Sequence, residues 1–333
     1  MKRKNMLKRN IFGVVFIVFL ICSFSFGAVA ADKVTFSLNW TPQAQHVPFF
    51  AALGSGLYEN EGLDVEIQKG NGSTKTIQRV AIGDVSFGLA SAVNLVQSKA
   101  EGIHNVIMIG TVFSNSPQLL VSLKENNWTT PKDVAGRKVG TTVYAALRRV
   151  LPIFLERNNV SRDAEVVLMD AGVIFQAVMS GKVDFGDNYL PNLPTWEDIA
   201  KKQNKELNII KFSDYGVNHY DLMLIGNTAY LEKHPDIARK FLNATYKGYQ
   251  FTKNEPEKAV DYYLKYNPVL GKETTLQGLE ATFELLEDEY TKKHGIGMIN
   301  PAKVTDTIEL IRKGYGIEKP IPTDSLFTNA YLK

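Results

Sequence analysis

The sequence predicts an α/β protein of two lobes joined by two crossover strands. Short apolar segments alternate with helical patterns, which is typical of βαβ units with parallel strands. About 300 residues follow an N-terminal leader, more than one hydrophobic core usually covers. The order of elements also repeats. Residues 82–88 (IGDVSFG) are similar to residues 180–186 (SGKVDFG), and each of these segments follows a strand and a helix.

Residues 1–30 are predicted to be a secretory signal peptide. Five basic residues precede an apolar run over residues 11–26, and small residues favour cleavage after Ala30. The apolar run is shorter than the roughly 20 residues that a membrane-spanning helix needs. Cys22 follows Ile21, where a lipoprotein signal requires a small residue. We therefore expect a periplasmic protein without a lipid anchor.

Composition excludes several classes of function. Without the leader, 33 basic residues face 35 acidic ones, and this nearly neutral balance with no basic run argues against a nucleic-acid partner. Cys22 is the only cysteine, so disulfides and thiol chemistry are excluded from the exported chain. The five histidines are too far apart for a local metal motif, and GxSxG, GxxxxGK[ST] and HExxH are all absent. We expect no cofactor and no metal.

The first lobe is predicted to comprise residues 31–123 and to be completed by residues 219–333. Its expected strands are residues 34–38, 63–67, 85–90, 106–112 and 118–123, with helices over residues 48–58, 73–83 and 94–100. The strand at residues 219–226 returns the chain to this lobe. The helices that follow, expected at residues 235–253, 257–266, 274–294 and 301–313, have apolar residues at intervals of three and four and should cover its outside.

The second lobe is predicted to comprise residues 124–218, because a polar stretch and a turn begin after residue 123. Its expected strands are residues 138–141, 165–169, 183–186 and 208–212, with helices over residues 144–158 and 173–180. Two similar lobes that face one another imply a cleft lined by strand ends and helix N-termini.

On the first wall of this cleft the candidate ligand contacts are Trp40, His46 and Ser91. Trp40 follows the end of the first strand, where a flat side chain can stack on a ring. It could equally be a half-buried core residue. His46 stands before the first helix, and its role is either hydrogen bonding to a ligand or anchoring of the loop. Ser91 follows the strand at residues 85–90, and it could instead cap the next helix.

On the facing wall two short segments supply candidates. Thr141, Thr142 and Tyr144 stand where a strand turns into a helix, and their hydroxyl and N–H groups suit an oxygen substituent, although a threonine there could serve only as a cap. The second segment, Asn188, Tyr189 and Glu197, combines an amide, a phenol and a carboxylate, which suit a heteroaromatic ligand with amino groups. Glu197 could also be a solvated surface acid.

Residues 38–67 (LNWTPQAQHVPFFAALGSGLYENEGLDVEI) resemble the opening of type II periplasmic binding proteins of the sulfonate, nitrate and thiamine-precursor group. The sequence of tryptophan, proline and histidine resembles the branch that handles thiamine pyrimidine precursors, and riboflavin-binding relatives are similar. The resemblance implies a type II periplasmic binding fold and a monomeric substrate-binding component of an ABC importer. Its ligand would be a small planar nitrogen heterocycle, and its partner the ABC permease. The alternatives are a sulfonate, nitrate or taurine binder, and a ligand sensor.

The same opening also resembles fungal-type enzymes that make the thiamine pyrimidine from their own histidine and a vitamin B6 phosphate. By that likeness His46 would be the consumed histidine. The export signal, the lack of a cysteine-rich segment, and residues 141–144 (TTVY) in place of a glycine-rich phosphate loop argue against such an enzyme. We therefore expect a binding protein without catalytic activity.

Overall fold

A computed structural model describes residues 31–332, so the predicted signal peptide lies outside the described residues. The strands are β1 (Asp32–Ser37), β2 (Leu63–Gln68), β3 (Phe87–Ser91), β4 (Val106–Thr111), β5 (Gln118–Leu123), β6 (Lys138–Thr141), β7 (Glu165–Leu168), β8 (Phe185–Tyr189), β9 (Leu207–Lys211) and β10 (Leu222–Asn227). They form two five-stranded sheets, in the orders β2-β1-β3-β10-β4 and β7-β6-β8-β5-β9.

The helices cover the faces of both sheets. They are α1 (Val47–Gly54), α2 (Leu57–Asn60), α3 (Ser73–Ala81), α4 (Ala92–Ala100), α5 (Leu147–Arg157), α6 (Ile174–Met179), α7 (Leu193–Lys202), α8 (Thr228–Lys233), α9 (Pro235–Asn254), α10 (Pro256–Tyr266), α11 (Lys272–Leu286), α12 (Glu289–His294) and α13 (Pro301–Tyr315). Within residues 31–332, no helix combines the length and the apolar character needed to cross a membrane.

The two sheets have the same topology, which agrees with the sequence repeat. β3 and β8 begin at equivalent positions within the two similar segments, and each is the middle strand of its sheet. In the first sheet β10 runs antiparallel between β3 and β4, and in the second β5 runs antiparallel between β8 and β9. The chain therefore crosses between the sheets twice, once between β4 and β5 and once between β9 and β10, and the strand that follows each crossing is the antiparallel one.

One predicted boundary needs correction. The sequence places residues 118–123 in the first lobe, whereas β5 pairs with β8 and β9 of the second sheet. The first crossing therefore lies between β4 and β5, before the polar stretch that marked the boundary in the sequence. Since all six residues of β5 are buried, their apolar pattern could not show which sheet they join.

The C-terminal helices also differ from the prediction that they cover only the first lobe. α9 and α10 pack on α1 as expected, but α11 contacts α7 and α13 contacts α5, and both of these partners belong to the second lobe. The helix predicted at residues 274–294 is divided between α11 and α12, because the Asp288 carboxylate accepts the backbone N–H of Thr291 at 2.9 Å and starts a new helix. These contacts hold the two lobes close together.

Candidate ligand-binding site

A small cavity lies between the lobes, where β1, β6 and β8 end, as expected for ligand sites in open α/β sheets. Its volume is about 70 Å³. One water needs about 10–15 Å³ of such space, so the cavity has room for roughly five to seven waters, or one ring with a few substituents. The first lobe contributes Asn39, Trp40, Gln43, Gln45 and Ser73. The second contributes Asp187, Asn188, Tyr189, Asn192 and Trp196, with small apolar side chains beside them.

His46 supports the cavity wall from behind and does not line the cavity. It is fully buried, and its Nδ1 accepts the backbone N–H of Gln43 at 3.0 Å, so this nitrogen carries no proton. Nε2 therefore carries the proton and donates to Oδ1 of Asn39, also at 3.0 Å. Burial lowers the pKa of His46 to about 3, which keeps the ring neutral. Both partners of His46 line the cavity, so its structural role is to orient them.

Asp187 places a carboxyl group on the facing wall. Its Oδ2 accepts a hydrogen bond from Oγ1 of Thr141 at 2.6 Å, and Thr141 itself is fully buried behind it. Burial raises the pKa of Asp187 to about 7, although the hydrogen bond from Thr141 works in the opposite direction. Thr141 therefore positions the Asp187 carboxyl group in the cavity wall and does not line the cavity itself.

Tyr189 is joined to the first lobe through Asp221. Its hydroxyl donates to Oδ1 of Asp221 at 2.8 Å, and the hydroxyl of Ser91 donates to Oδ2 of the same residue at 3.3 Å. Asp221 is fully buried immediately before β10, and burial raises its pKa to about 7. Ser91 is likewise fully buried and does not line the cavity, so of these three residues Tyr189 alone is a lining residue.

Two buried amide atoms at the cavity have no hydrogen-bond partner among the described residues. Oδ1 of Asn188 accepts the backbone N–H of Tyr189 at 2.9 Å and Nδ2 of Asn192 at 3.0 Å. A backbone N–H can only donate, so this contact fixes the amide orientation and leaves Nδ2 of Asn188 as a free donor. Gln45 provides a free acceptor, its Oε1. A ligand that both donates and accepts hydrogen bonds would satisfy the two amides.

The structure brings three of the predicted contacts to the cavity, namely Trp40, Asn188 and Tyr189. Three others lie directly behind it and hold lining residues in place: His46, Ser91 and Thr141. The last three lie outside its lining: Thr142, Tyr144 and Glu197. Their predicted contacts with a ligand have no geometric support.

Glu197 and its neighbour Trp196 illustrate why the prediction missed a lining residue. Successive residues on a helix point about 100° apart, so only one of the two can face the cavity. On α7 this is Trp196, which is buried and packs on Phe175 with ring centroids 4.9 Å apart, whereas Glu197 is exposed. The residue chosen from the sequence for its charge is the one that points to solvent.

Several residues that shape the site were not selected from the sequence. Asn39, Gln43 and Gln45 belong to the same loop as Trp40, and the high polarity of that loop was an available signal. Asp221 is an acid within the apolar segment HYDLMLIG, and a fully buried acid next to an apolar strand is itself unusual. The partner that explains Asp221 lies 32 positions away, so the sequence could not reveal it.

The fold of the chain is that of two-lobed periplasmic binding proteins. The crystal structure of the periplasmic aliphatic sulphonate binding protein SsuA from Escherichia coli superposes with a TM-score of 0.67 at 12% sequence identity, covering 91% of this chain and 99% of that one. The model of the NMT1/THI5 like family matches residues 43–259. The chain therefore belongs to the NMT1/THI5 like family.

Curated relatives of this chain include both a binding protein and an enzyme. The formylaminopyrimidine-binding protein of Halalkalibacterium halodurans is 27% identical over 78% of this chain and 79% of its own length. The 4-amino-5-hydroxymethyl-2-methylpyrimidine phosphate synthase THI13 of Saccharomyces cerevisiae is 25% identical, over 91% of this chain and 89% of its own. Membership of the family thus leaves both activities open, and the site must distinguish them.

Proposed function

We propose that this chain is the extracytoplasmic substrate-binding component of an ABC importer and that its ligand is a small aminopyrimidine. The observation that carries the proposal is the chemistry of the cavity. Trp40, Tyr189 and Trp196 provide aromatic surfaces, Asp187 provides a carboxyl group, and no Lys, Arg or His is among the described residues that line it. A neutral or cationic nitrogen heterocycle satisfies all of these groups.

An anionic ligand fits this cavity poorly. Sulfonate, taurine or nitrate would bring an anionic group next to Asp187 and would find no cationic side chain to neutralise it. The volume also favours one ring over the three fused rings and sugar-alcohol chain of riboflavin. The relative named for formylaminopyrimidine supports the same choice of ligand class.

The position of His46 favours binding over pyrimidine synthesis. A histidine that is consumed must be reached by its reaction partners, whereas His46 is fully buried and both of its ring nitrogens are engaged by Gln43 and Asn39. Incubating the chain with pyridoxal phosphate, iron and oxygen should leave its mass unchanged. A mass loss located at His46 would instead favour the enzyme.

Thermal-shift measurements on residues 31–333 test the ligand class. Formylaminopyrimidine, riboflavin, taurine and nitrate are compared, and a ligand at about 100 times its Kd stabilises the folded chain by about 2.7 kcal/mol. We expect formylaminopyrimidine to raise the Tm and taurine and nitrate to leave it unchanged. Stabilisation by the anions alone would refute the proposal.

Substitution of Asp187 tests the role of its carboxyl group. At pH 8, above the raised pKa of Asp187, Asp187→Asn keeps the shape of the side chain but removes its charge. Loss of a hydrogen bond to a charged group costs about 1.5–3 kcal/mol, so we expect at least about tenfold weaker binding. Asp184→Asn is the matched control, because Asp184 accepts the backbone N–H of Lys138 outside the cavity. Calorimetric titration with formylaminopyrimidine should give equal Kd values for the control and the wild type. Equal values for Asp187→Asn would contradict the assignment.

A further inference from the structure

Asp221 joins the two lobes at the back of the cavity. Tyr189 ends β8 of the second sheet, and Asp221 immediately precedes β10 of the first. The Tyr189 hydroxyl donates to Oδ1 of Asp221 at 2.8 Å, while Ser91, the last residue of β3, donates to Oδ2 at 3.3 Å. One buried carboxyl group is thus held by a donor from each lobe.

A further hydrogen bond connects Ser91 to the opposite wall of the cavity. The backbone N–H of Ser91 donates to Oγ of Ser73 at 2.9 Å, and Ser73 lines the cavity at the start of α3. A continuous path therefore runs from Tyr189 through Asp221 and Ser91 to Ser73. It connects a lining residue of the second lobe to a lining residue of the first.

The hydrogen bonds of Asp221 lead to the cavity through Tyr189 and, by way of Ser91, through Ser73. It is 0% exposed and is not among the residues that line the cavity. Burial of a carboxyl group is costly unless its oxygens receive hydrogen bonds, and one of its two side-chain donors comes from the other lobe. If the lobes separate at this point, Asp221 loses the Tyr189 hydroxyl and the tyrosine ring loses its anchor.

We propose that Asp221 is a positioning residue that holds the Tyr189 ring against the bound ligand and makes this placement depend on closure of the two lobes. The inference rests on the proposed binding function. Tyr189 also packs against the apolar core of the first lobe, so its ring spans the junction between the lobes. Asp221 fixes its remaining freedom, which is rotation and displacement of the ring within the cavity.

A double-mutant cycle with formylaminopyrimidine as the probe tests this role. Tyr189→Phe keeps the ring and removes the hydroxyl, and Asp221→Leu keeps the approximate size and removes both acceptors. We expect each substitution to weaken binding of the probe up to about tenfold, as for loss of one hydrogen bond. The double variant should bind no more than about threefold more weakly than either single variant, because both remove the same contact.

Rescue by a conservative variant separates positioning from a general structural role. Asp221→Asn retains an acceptor for Tyr189 and can donate to Ser91, so we expect its affinity to stay within about threefold of wild type. The control Tyr215→Phe removes a comparable hydrogen bond, from its hydroxyl to the Thr129 carbonyl at 3.1 Å within the second lobe, and should leave the Kd unchanged. Additive losses in the double variant, or an unchanged Kd for Tyr189→Phe, would overturn the proposal.

The outcome is distinguishable from failure of the proposed function. A wild-type chain that does not bind formylaminopyrimidine refutes the ligand class. The four proteins of the cycle, namely the wild type, the two single variants and the double variant, are then compared by their Tm without ligand. The same comparison serves if Asp221→Leu is too unstable for titration. Non-additive losses of Tm support the contact between Asp221 and Tyr189 across the lobes, and additive losses overturn it.

Discussion

His46 should make this protein sensitive to acid in a way that a single substitution can isolate. The folded chain holds its ring neutral, with a pKa lowered by burial to about 3, whereas the unfolded chain has the ordinary value of about 6.5. Between these values the unfolded state binds more protons. The stability that neutral His46 contributes is therefore fully present above pH 6.5 and is lost as the pH falls from 6.5 towards 3.

The size of the effect follows from the two pKa values. At pH 5 the unfolded imidazole gains about 2 kcal/mol from protonation, while the folded imidazole remains neutral. Asp187 and Asp221 have pKa values raised to about 7, so their contribution changes with pH in the opposite sense. The stability of the wild type at a given pH therefore combines the opposing contributions of His46 and of the two aspartates. A variant that lacks only His46 separates them by difference.

Urea unfolding of the wild type and of His46→Gln, followed by tryptophan fluorescence at pH 8 and pH 5, measures this difference. Glutamine can donate to Asn39 and accept from Gln43, so it preserves the loop contacts without titrating. We expect the wild type to lose about 2 kcal/mol relative to the variant between pH 8 and pH 5. An equal stability difference at both pH values would refute the neutral, buried state of His46.

Two further substitutions test the closed arrangement and the aromatic wall. A Cβ on Gly278 would lie 2.2 Å from the Pro191 carbonyl oxygen of the other lobe. Gly278→Ala should therefore push the lobes apart through overpacking and weaken the binding of formylaminopyrimidine about tenfold. An unchanged affinity would contradict this expectation. Gly54→Ala, which meets Tyr262 within one lobe, should lower the Tm only. Trp40→Leu should weaken binding of the same ligand about tenfold or more, because the stacking surface is lost. Trp128 lies outside the cavity, so the control Trp128→Leu should leave the affinity unchanged. Equal Kd values for Trp40→Leu and the wild type would refute the stacking role of Trp40.

The local pattern of the sequence was enough to predict most elements of the fold. Alternation of short apolar strands with helices predicted two α/β lobes, and the similarity of residues 82–88 to 180–186 predicted their common topology, which β3 and β8 confirm. The predictions were wrong for elements whose buried residues could pack equally well in either lobe. The six buried residues of β5 fit either sheet, and the apolar stripes of α11 and α13 fit either lobe.

For the site, the sequence alone determined the loop that carries Trp40 and the segment that carries Asn188 and Tyr189, because strand ends and their polar residues can be read locally. Only the tertiary structure decided that His46 is an anchor, that Trp196 faces inward in place of Glu197, and that Asp221 meets Tyr189. Each of these depends on burial or on a partner distant in the chain. Such properties arise from the packing of two lobes against one another, which spacing along the sequence does not encode.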